Sequence, residues 1–178
     1  MHPLDQAAVV VMAGDVSAFR SIVEETGPRL LRLAARLLGS PTDAEDVLQE
    51  AYVKAYGALR AGRFDQKSRV DTWLYRIVVN SAMDALRGRS RRRTAPNELR
   101  DIALAGAPSA EARVALAELD DWLAALPAEQ RTAVTLKALE GMTSPEIADM
   151  MGSTEGAVEQ LLVRARAALR RRRTEEGE

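Results

Sequence analysis

TSPEIADMMGSTEGAVEQLLVRARAALRRRR, residues 143–173, contains two helices and the turn between them. Thr143 and Glu146 have the spacing of a capping box, in which a hydroxyl and a carboxylate each satisfy an orphan amide at a helix start. The short helix this predicts runs through Ile147, Ala148 and Met151, and Gly152-Ser153-Thr154 turns the chain. A longer helix follows, with Val158, Leu161, Leu162, Ala165 and Leu169 on one side at helical spacing. Two helices joined by a tight glycine turn, the second amphipathic and basic at its end, match a helix-turn-helix. An ordinary helical hairpin fits the same pattern taken alone. On the opposite face Gly156, Glu159, Gln160, Val163 and Arg164 would reach base edges. Gln pairs bidentately with adenine, Arg with guanine, and Glu accepts from cytosine, whereas the arginines that follow would hold phosphates.

Working back toward the N-terminus, apolar residues recur at intervals of three and four, and aromatics make up only 4% of the chain. The expected fold class is all-α. A first helix is expected after Gly14, with Phe19, Ile22 and Val23 on one face; a second carries Leu30, Leu31, Ala34, Leu37 and Leu38 and stops at Gly39 before Pro41. Thr42 to Glu45 reads as another capping box, opening a helix with Val47, Leu48, Ala51, Ala55 and Leu59 inward. After an interruption from Ala61 to Val70, Asp71 or Thr72 is expected to cap a helix through Leu74, Ile77, Val78 and Ala85 to an arginine run. The stretch from about Ser90 to Ser109 contains Pro96, Gly106 and Pro108 with little periodic hydrophobicity. It reads as a flexible linker. The expected organisation is therefore two small helical domains, 1–93 and 113–178, joined by a linker at 94–112.

The 178 residues carry 25 Lys+Arg against 26 Asp+Glu, a net charge of -1, but the charges are segregated. Arg87, Arg89, Arg91, Arg92 and Arg93 form one basic cluster, and Arg164, Arg166 and Arg170 to Arg173 another. Such local patches decide whether phosphates are neutralised and counterions released. With no cysteine, disulfides and thiolate metal sites are excluded, and with His2 the only histidine, near an end expected to fray, zinc and Cys or His nucleophilic catalysis are not expected. No metal, no cofactor and no catalytic residue is expected, and no phosphate-cradling glycine loop or nucleophile–base pair is present. The sequence also lacks an apolar run of the ~20 residues a span needs and a secretory signal, so no membrane insertion and a cytoplasmic location are expected.

Two further constellations stand out. Trp73, Arg76, Asn80, Met83 and Arg87 recur at intervals of three and four as one exposed stripe. An aromatic, two arginines and an asparagine suit phosphate pairing, base-edge hydrogen bonding and stacking on unpaired bases; the alternative is a core tryptophan with an ion-paired arginine. Asp43, Glu45, Asp46, Gln49 and Glu50 gather in the first half of one helix. Carboxylates stabilise a helix N-terminus, and Asp46, Gln49 and Glu50 also form a polar ridge able to dock a partner helix.

The runs Asp43 to Glu50 and Thr72 to Ile77, then Asn80 and Asp84, Leu126 to Arg131, and Glu146-Ile147-Ala148 through Arg164-Ala165-Arg166 together resemble the extracytoplasmic-function (ECF, group IV) sigma factors of the sigma-70 family. The resemblance runs from about Gly14 to Arg173. It implies a promoter-specificity subunit with two partners, core RNA polymerase and promoter DNA, the latter both as duplex and as single-stranded non-template strand. It also implies an anti-sigma factor as partner. By the same resemblance Asp43, Asp46, Gln49 and Glu50 bind the polymerase's largest subunit. Arg63, Phe64, Lys67, Trp73, Arg76, Asn80, Asp84 and Arg87 engage and help open the minus-ten element. Thr154, Glu155, Gly156, Glu159, Gln160, Val163, Arg164 and Arg166 serve the minus-thirty-five element. Two departures stand out: Ala157-Val158-Glu159-Gln160-Leu161 places an acid where a Thr-Val-Lys-Ser-Arg-like run is frequent, and Arg69-Val70 replaces a small residue and phenylalanine. The competing reading is a free-standing helix-turn-helix regulator acting without the polymerase, which leaves the ridge and the stripe unexplained.

Overall fold

The computed structural model describes residues 2–92 and 118–176, and among them all regular structure is helical. The predicted linker at 94–112 lies outside the described residues. The first domain is built from α1 (Pro3–Met12), α2 (Phe19–Leu38), α3 (Pro41–Arg60) and α4 (Val70–Arg92). The second follows with a helical segment at 118–124, here α5, then α6 (Ala128–Val134), α7 (Ser144–Met151) and α8 (Glu155–Glu176). A π-helical turn, Thr135–Leu139, extends α6.

Helix α1 was not expected. Pro3 sits in its first turn, the His2 ring nitrogen accepts from Leu4 N at 3.3 Å, and Leu4, Ala8 and Val11 are buried. The histidine is thus a helix cap and not part of a frayed end. Asp5 of α1 accepts a hydrogen bond from Val70 N at 2.8 Å, so an amide at the start of α4 is satisfied by a residue far away in sequence. That helix accordingly begins at Val70, before the expected Asp71 or Thr72.

Two expected helices are one. Helix α2 runs unbroken through Pro28, with Ile22, Thr26, Leu30 and Leu33 buried on either side of it. Pro28 and Glu24, whose carbonyl loses its donor to the proline, are both exposed, so water can serve that carbonyl. Gly39 ends the helix in the left-handed region at φ 67°. The cap of α3 is Ser40, not Thr42: Asp43 N donates to Ser40 Oγ at 3.3 Å and Pro41 occupies the first helical position. The inward face of α3 is as read, with Val47, Leu48, Ala51, Ala55 and Leu59 buried.

The two domains pack against each other. Ala133, Leu136, Ile147, Met150, Val158 and Leu162 of the second join the same buried apolar cluster as Leu37, Leu74 and Val78 of the first. Three arginine contacts cross the boundary. Arg131, nearly buried, donates from Nε to Leu37 O at 2.9 Å and from Nη1 to Ala124 O at 3.1 Å. Arg36 pairs with Asp120 at 2.9 Å in a largely buried contact, and Arg29 with Glu140 at 3.0 Å. Beside the last pair the Tyr75 hydroxyl is buried with no hydrogen-bond partner, and burial pushes it far above the ordinary phenol range, which keeps it neutral.

Candidate nucleic-acid interface

Burial of Val47, Leu48, Ala51, Ala55 and Leu59 leaves the polar side of α3 facing outward. Asp46, Gln49 and Glu50 are exposed together, opposite Val47, Leu48 and Ala51, while Asp43 is half-buried. Glu50 pairs with Lys54 at 2.8 Å, and Lys54 also donates to Ser81 Oγ of α4 at 3.1 Å. One residue of this surface escaped the sequence reading. Val53 is 72% exposed, one turn beyond Gln49 and Glu50 on the same side. Its spacing from those two residues was the available signal.

On α4, Arg76, Asn80, Asp84 and Arg87 are exposed, and Arg87 pairs with Asp84 at 2.8 Å. Two members of the expected set lie elsewhere. Met83 is buried, at 4% exposure, and forms the floor of a groove with Leu161 and Arg164 of α8. It is therefore not part of an exposed stripe. Phe64 is buried as well, its ring centroid 4.9 Å from that of the half-buried Trp73. The Phe64 ring is tilted by 44° against the indole and, being buried, has no free face for a base. In the same loop Arg63 and Lys67 stay exposed. The amide and ammonium of Lys67 together hold the Asp65 carboxyl below its ordinary range.

In the second domain the capping box forms as read: Glu146 accepts from Thr143 N at 2.8 Å and from Thr143 Oγ1 at 2.6 Å. These bonds lower the Glu146 carboxyl from its ordinary range, with help from the charges of Arg76 and Lys137. Gly152, at φ 61°, turns the chain, and Ala157 N donates to Thr154 Oγ1 at 3.3 Å at the start of α8. Val158, Leu162 and Ala165 are buried. Thr154, Glu155, Gly156, Glu159, Gln160, Val163, Arg164 and Arg166 are all exposed, and Val163 is 59% so. A methyl-bearing side chain so placed suits contact with a thymine methyl group. The Glu159 carboxylate is engaged by Ser144 Oγ, a contact that ties α8 to α7 across the turn.

Among the described residues no group of acids or histidine is disposed to hold a metal ion, and no helix is long and apolar enough to cross a membrane. The exposed surfaces are an acidic ridge on α3, a stripe of Arg76, Asn80, Asp84 and Arg87 on α4 beside the half-buried Trp73, and an arginine-bearing face of α8.

The sequence matches two family models in the same order as these surfaces, Sigma-70 region 2 over residues 22–92 and Sigma-70, region 4 over residues 116–169. It is similar to the ECF RNA polymerase sigma factor SigM of Mycobacterium tuberculosis, 37% identical over 160 residues that cover 90% of this chain and 79% of that protein. It is also similar to the ECF RNA polymerase sigma-E factor of Escherichia coli, 34% identical over 175 residues covering 89% and 88% of the two chains. Among solved structures, CnrH in complex with the cytosolic domain of CnrY superimposes with a TM-score of 0.60 at 31% identity, over 94% of this chain and 95% of that one. The sigma factor RpoE of Bartonella quintana, solved with the anti-sigma factor NepR, gives a TM-score of 0.66 over 88% and 96% of the chains; at 24% identity it supports the fold. The chain belongs to the sigma-70 family and, within it, to the ECF RNA polymerase sigma factors.

Proposed function

We propose that this chain binds core RNA polymerase and directs promoter-specific initiation, with residues 1–93 serving core binding and the minus-ten element, 94–112 linking, and 113–178 serving the minus-thirty-five element. The observation that carries this reading is the presence in one chain of both an exposed acidic ridge on α3 and two separate exposed arginine-bearing faces, on α4 and α8. A regulator that only bound an operator would use the last alone.

Asp46, Gln49 and Glu50, with Val53 extending them, form the polymerase-binding face, and Asp43 contributes at its edge. Arg76, Asn80, Asp84 and Arg87, with Arg63 and Lys67 of the loop, meet the minus-ten element, and Trp73, packed against Phe64, stacks on a base. Opening the duplex loses stacking of about 1.4 kcal/mol per step, while each captured base returns ~1–3 kcal/mol through stacking. The exchange is close to balanced without ATP. The polymerase supplies nucleotidyl transfer; the chain supplies recognition and strand separation. In the second domain Gln160, Val163 and Arg164 read base edges, Thr154, Glu155, Gly156 and Arg166 lie along the DNA backbone, and Glu159 acts from its place against Ser144. An anti-sigma factor covering the polymerase-binding surfaces is a further partner on this reading.

The test is run-off transcription with purified core polymerase and a library of promoter sequences. Transcripts sharing upstream and minus-ten sequence elements are the expected product. No transcript beyond those of core polymerase alone would overturn the reading.

A further inference from the structure

Helix α1 precedes residues 22–92, over which Sigma-70 region 2 is matched, yet it makes the bond on which α4 starts. A helix leaves its first amides without an intrahelical partner. At the start of α4, Thr72 N donates to the adjacent Asp71 carboxylate at 2.7 Å, and Trp73 N closes the first turn by donating to Arg69 O at 3.0 Å. Val70 N donates instead to Asp5 Oδ1 at 2.8 Å, across 65 residues of sequence. Val70 is thereby fixed twice, by its amide and by a side chain buried at 1% exposure. Removing the acceptor would orphan an amide in a part-buried site, which is costly.

Asp5 is itself held in place. It lies on α1 next to the buried Leu4 and one turn before the buried Ala8, and the His2 ring caps the same first turn by accepting from Leu4 N. A carboxylate so placed also faces the positive end of the α4 dipole. Val70 is the joint between two groups that the proposed reading sends to the minus-ten element. Before it the loop at 61–69 carries the exposed Arg63 and Lys67; after it come Trp73, within one turn, then Arg76 and Asn80. Loop and helix can capture one base together only in a fixed mutual geometry, and recognition sites need theirs held to about 0.5 Å.

We propose that Asp5 is a positioning residue for minus-ten recognition: its bond to Val70 N sets how the loop enters α4, and so where Arg63 and Lys67 stand relative to Trp73. This inference deepens the functional reading and rests on it. Three variants of the full chain separate positioning from stability. Asp5→Ala removes the acceptor, Asp5→Asn keeps an oxygen there without the charge, and Ser40→Ala removes a different cap of the same domain, at the start of α3. Should Asp5→Ala not fold, Asp5→Ser, whose oxygen sits one bond nearer the backbone, is read in its place.

Each chain is assayed with core polymerase on promoters that differ by single bases in the minus-ten element. Asp5→Ala should narrow the spread between the best and the poorer promoters about five-fold or more, the scale on which one base position is discriminated, with core affinity changed less than about two-fold. Asp5→Asn should keep most of the spread, and Ser40→Ala should keep it while lowering the thermal midpoint. A merely structural role gives another result, output falling by one factor on every promoter in step with core binding. That result, or an equal loss of spread in Ser40→Ala, would overturn the proposal. A second measurement needs neither polymerase nor DNA: in the chain carrying Trp122→Phe, Asp5→Ala should raise the quenching of Trp73 by acrylamide and Ser40→Ala should not. Unchanged quenching would overturn the positioning role even in a working sigma factor. Raised quenching with no transcription from any chain, the unmutated one included, would overturn the functional reading and the role in recognition with it, while showing that the bond sets the surroundings of Trp73.

Discussion

The two domains solve the problem of burying a core differently. The first encloses its own: α1 to α4 pack around Ile22, Leu37, Leu59, Leu74 and Val78, all essentially inaccessible. The second has a small private cluster, in which Leu123, Leu126 and Ala165 are packed by Leu119, Val134, Ala168 and Leu169. The rest of its apolar interior, from Ala133 to Leu162, is continuous with the first domain's. A unit of roughly 65 residues is at the margin of independent stability. Its apolar interior therefore depends on neighbouring surface of the first domain.

This contrast is most open to attack through core truncations. Leu74→Ala and Leu162→Ala should each cost about 2–5 kcal/mol, the usual range for a fully buried leucine. Trp73 and Trp122 report on the first and second domains separately. In urea, Leu74→Ala should lower the midpoint seen by both tryptophans, because the second domain leans on the first. Leu162→Ala should move chiefly the Trp122 transition. Equal shifts at both tryptophans in both variants would mean one cooperative unit and erase the distinction.

The next effect concerns what each surface does. Asn80→Ala and Arg87→Ala should reduce promoter opening about ten-fold or more, on the scale of ~1–3 kcal/mol for a lost base contact, with core binding changed less than about two-fold. Opening followed by fluorescent base analogues and core binding by anisotropy give the comparison. Parallel losses in both assays would point to a damaged fold.

Smaller still is the cap of α3. Ser40→Ala should destabilise the first domain by about 1 kcal/mol, whereas Thr42→Ala, at an exposed position without a capping role, should leave the thermal midpoint within error. A larger loss for Thr42→Ala would reverse the assignment of the cap.

The smallest effect separates the domains by pH. The Glu146 carboxyl is lowered from its ordinary 4.5 by Thr143, so its bonds stabilise the fold above that value. The contribution is lost as pH falls through the lowered folded-state value. The stability gap between the unmutated chain and Glu146→Ala should therefore be full at neutral pH and close under acid conditions, as followed by Trp122 denaturation. A gap independent of pH would show that the charge plays no part.

The pattern of what the sequence revealed follows locality. The helix-turn-helix was legible because its cap, its glycine turn and its apolar face lie within thirty-odd contiguous residues and need no distant partner. The inward face of α3 was legible for the same reason. Misreadings arose where tertiary contacts override local signals. The local pattern divides residues 19–38 into two helices, yet the buried face of α2 continues through Pro28. Ser40-Pro41 is a complete start signal, a cap followed by a proline at the first helical position, although Pro41 by itself reads as a stop. Helix α1, with Leu4, Ala8 and Val11 at helical spacing behind Pro3, carried a local signal that went unread.

For the candidate site, spacing placed Arg76, Asn80 and Arg87 on one face but could not separate them from Met83, because its burial comes from α8 across the domain boundary. Phe64 likewise has no periodic context in its loop, and only the folded chain puts it under Trp73. Such long-range contacts determine which residues of a helix face stay exposed.

The central claim, that this chain opens promoter DNA only as a subunit of a larger machine, is tested most directly by permanganate footprinting of a selected promoter. Unpaired thymines should appear around the minus-ten element when the chain and core polymerase are both present, and with neither alone. Protection of an operator by the chain as a dimer, unaltered by core polymerase and with every thymine still paired, would contradict it.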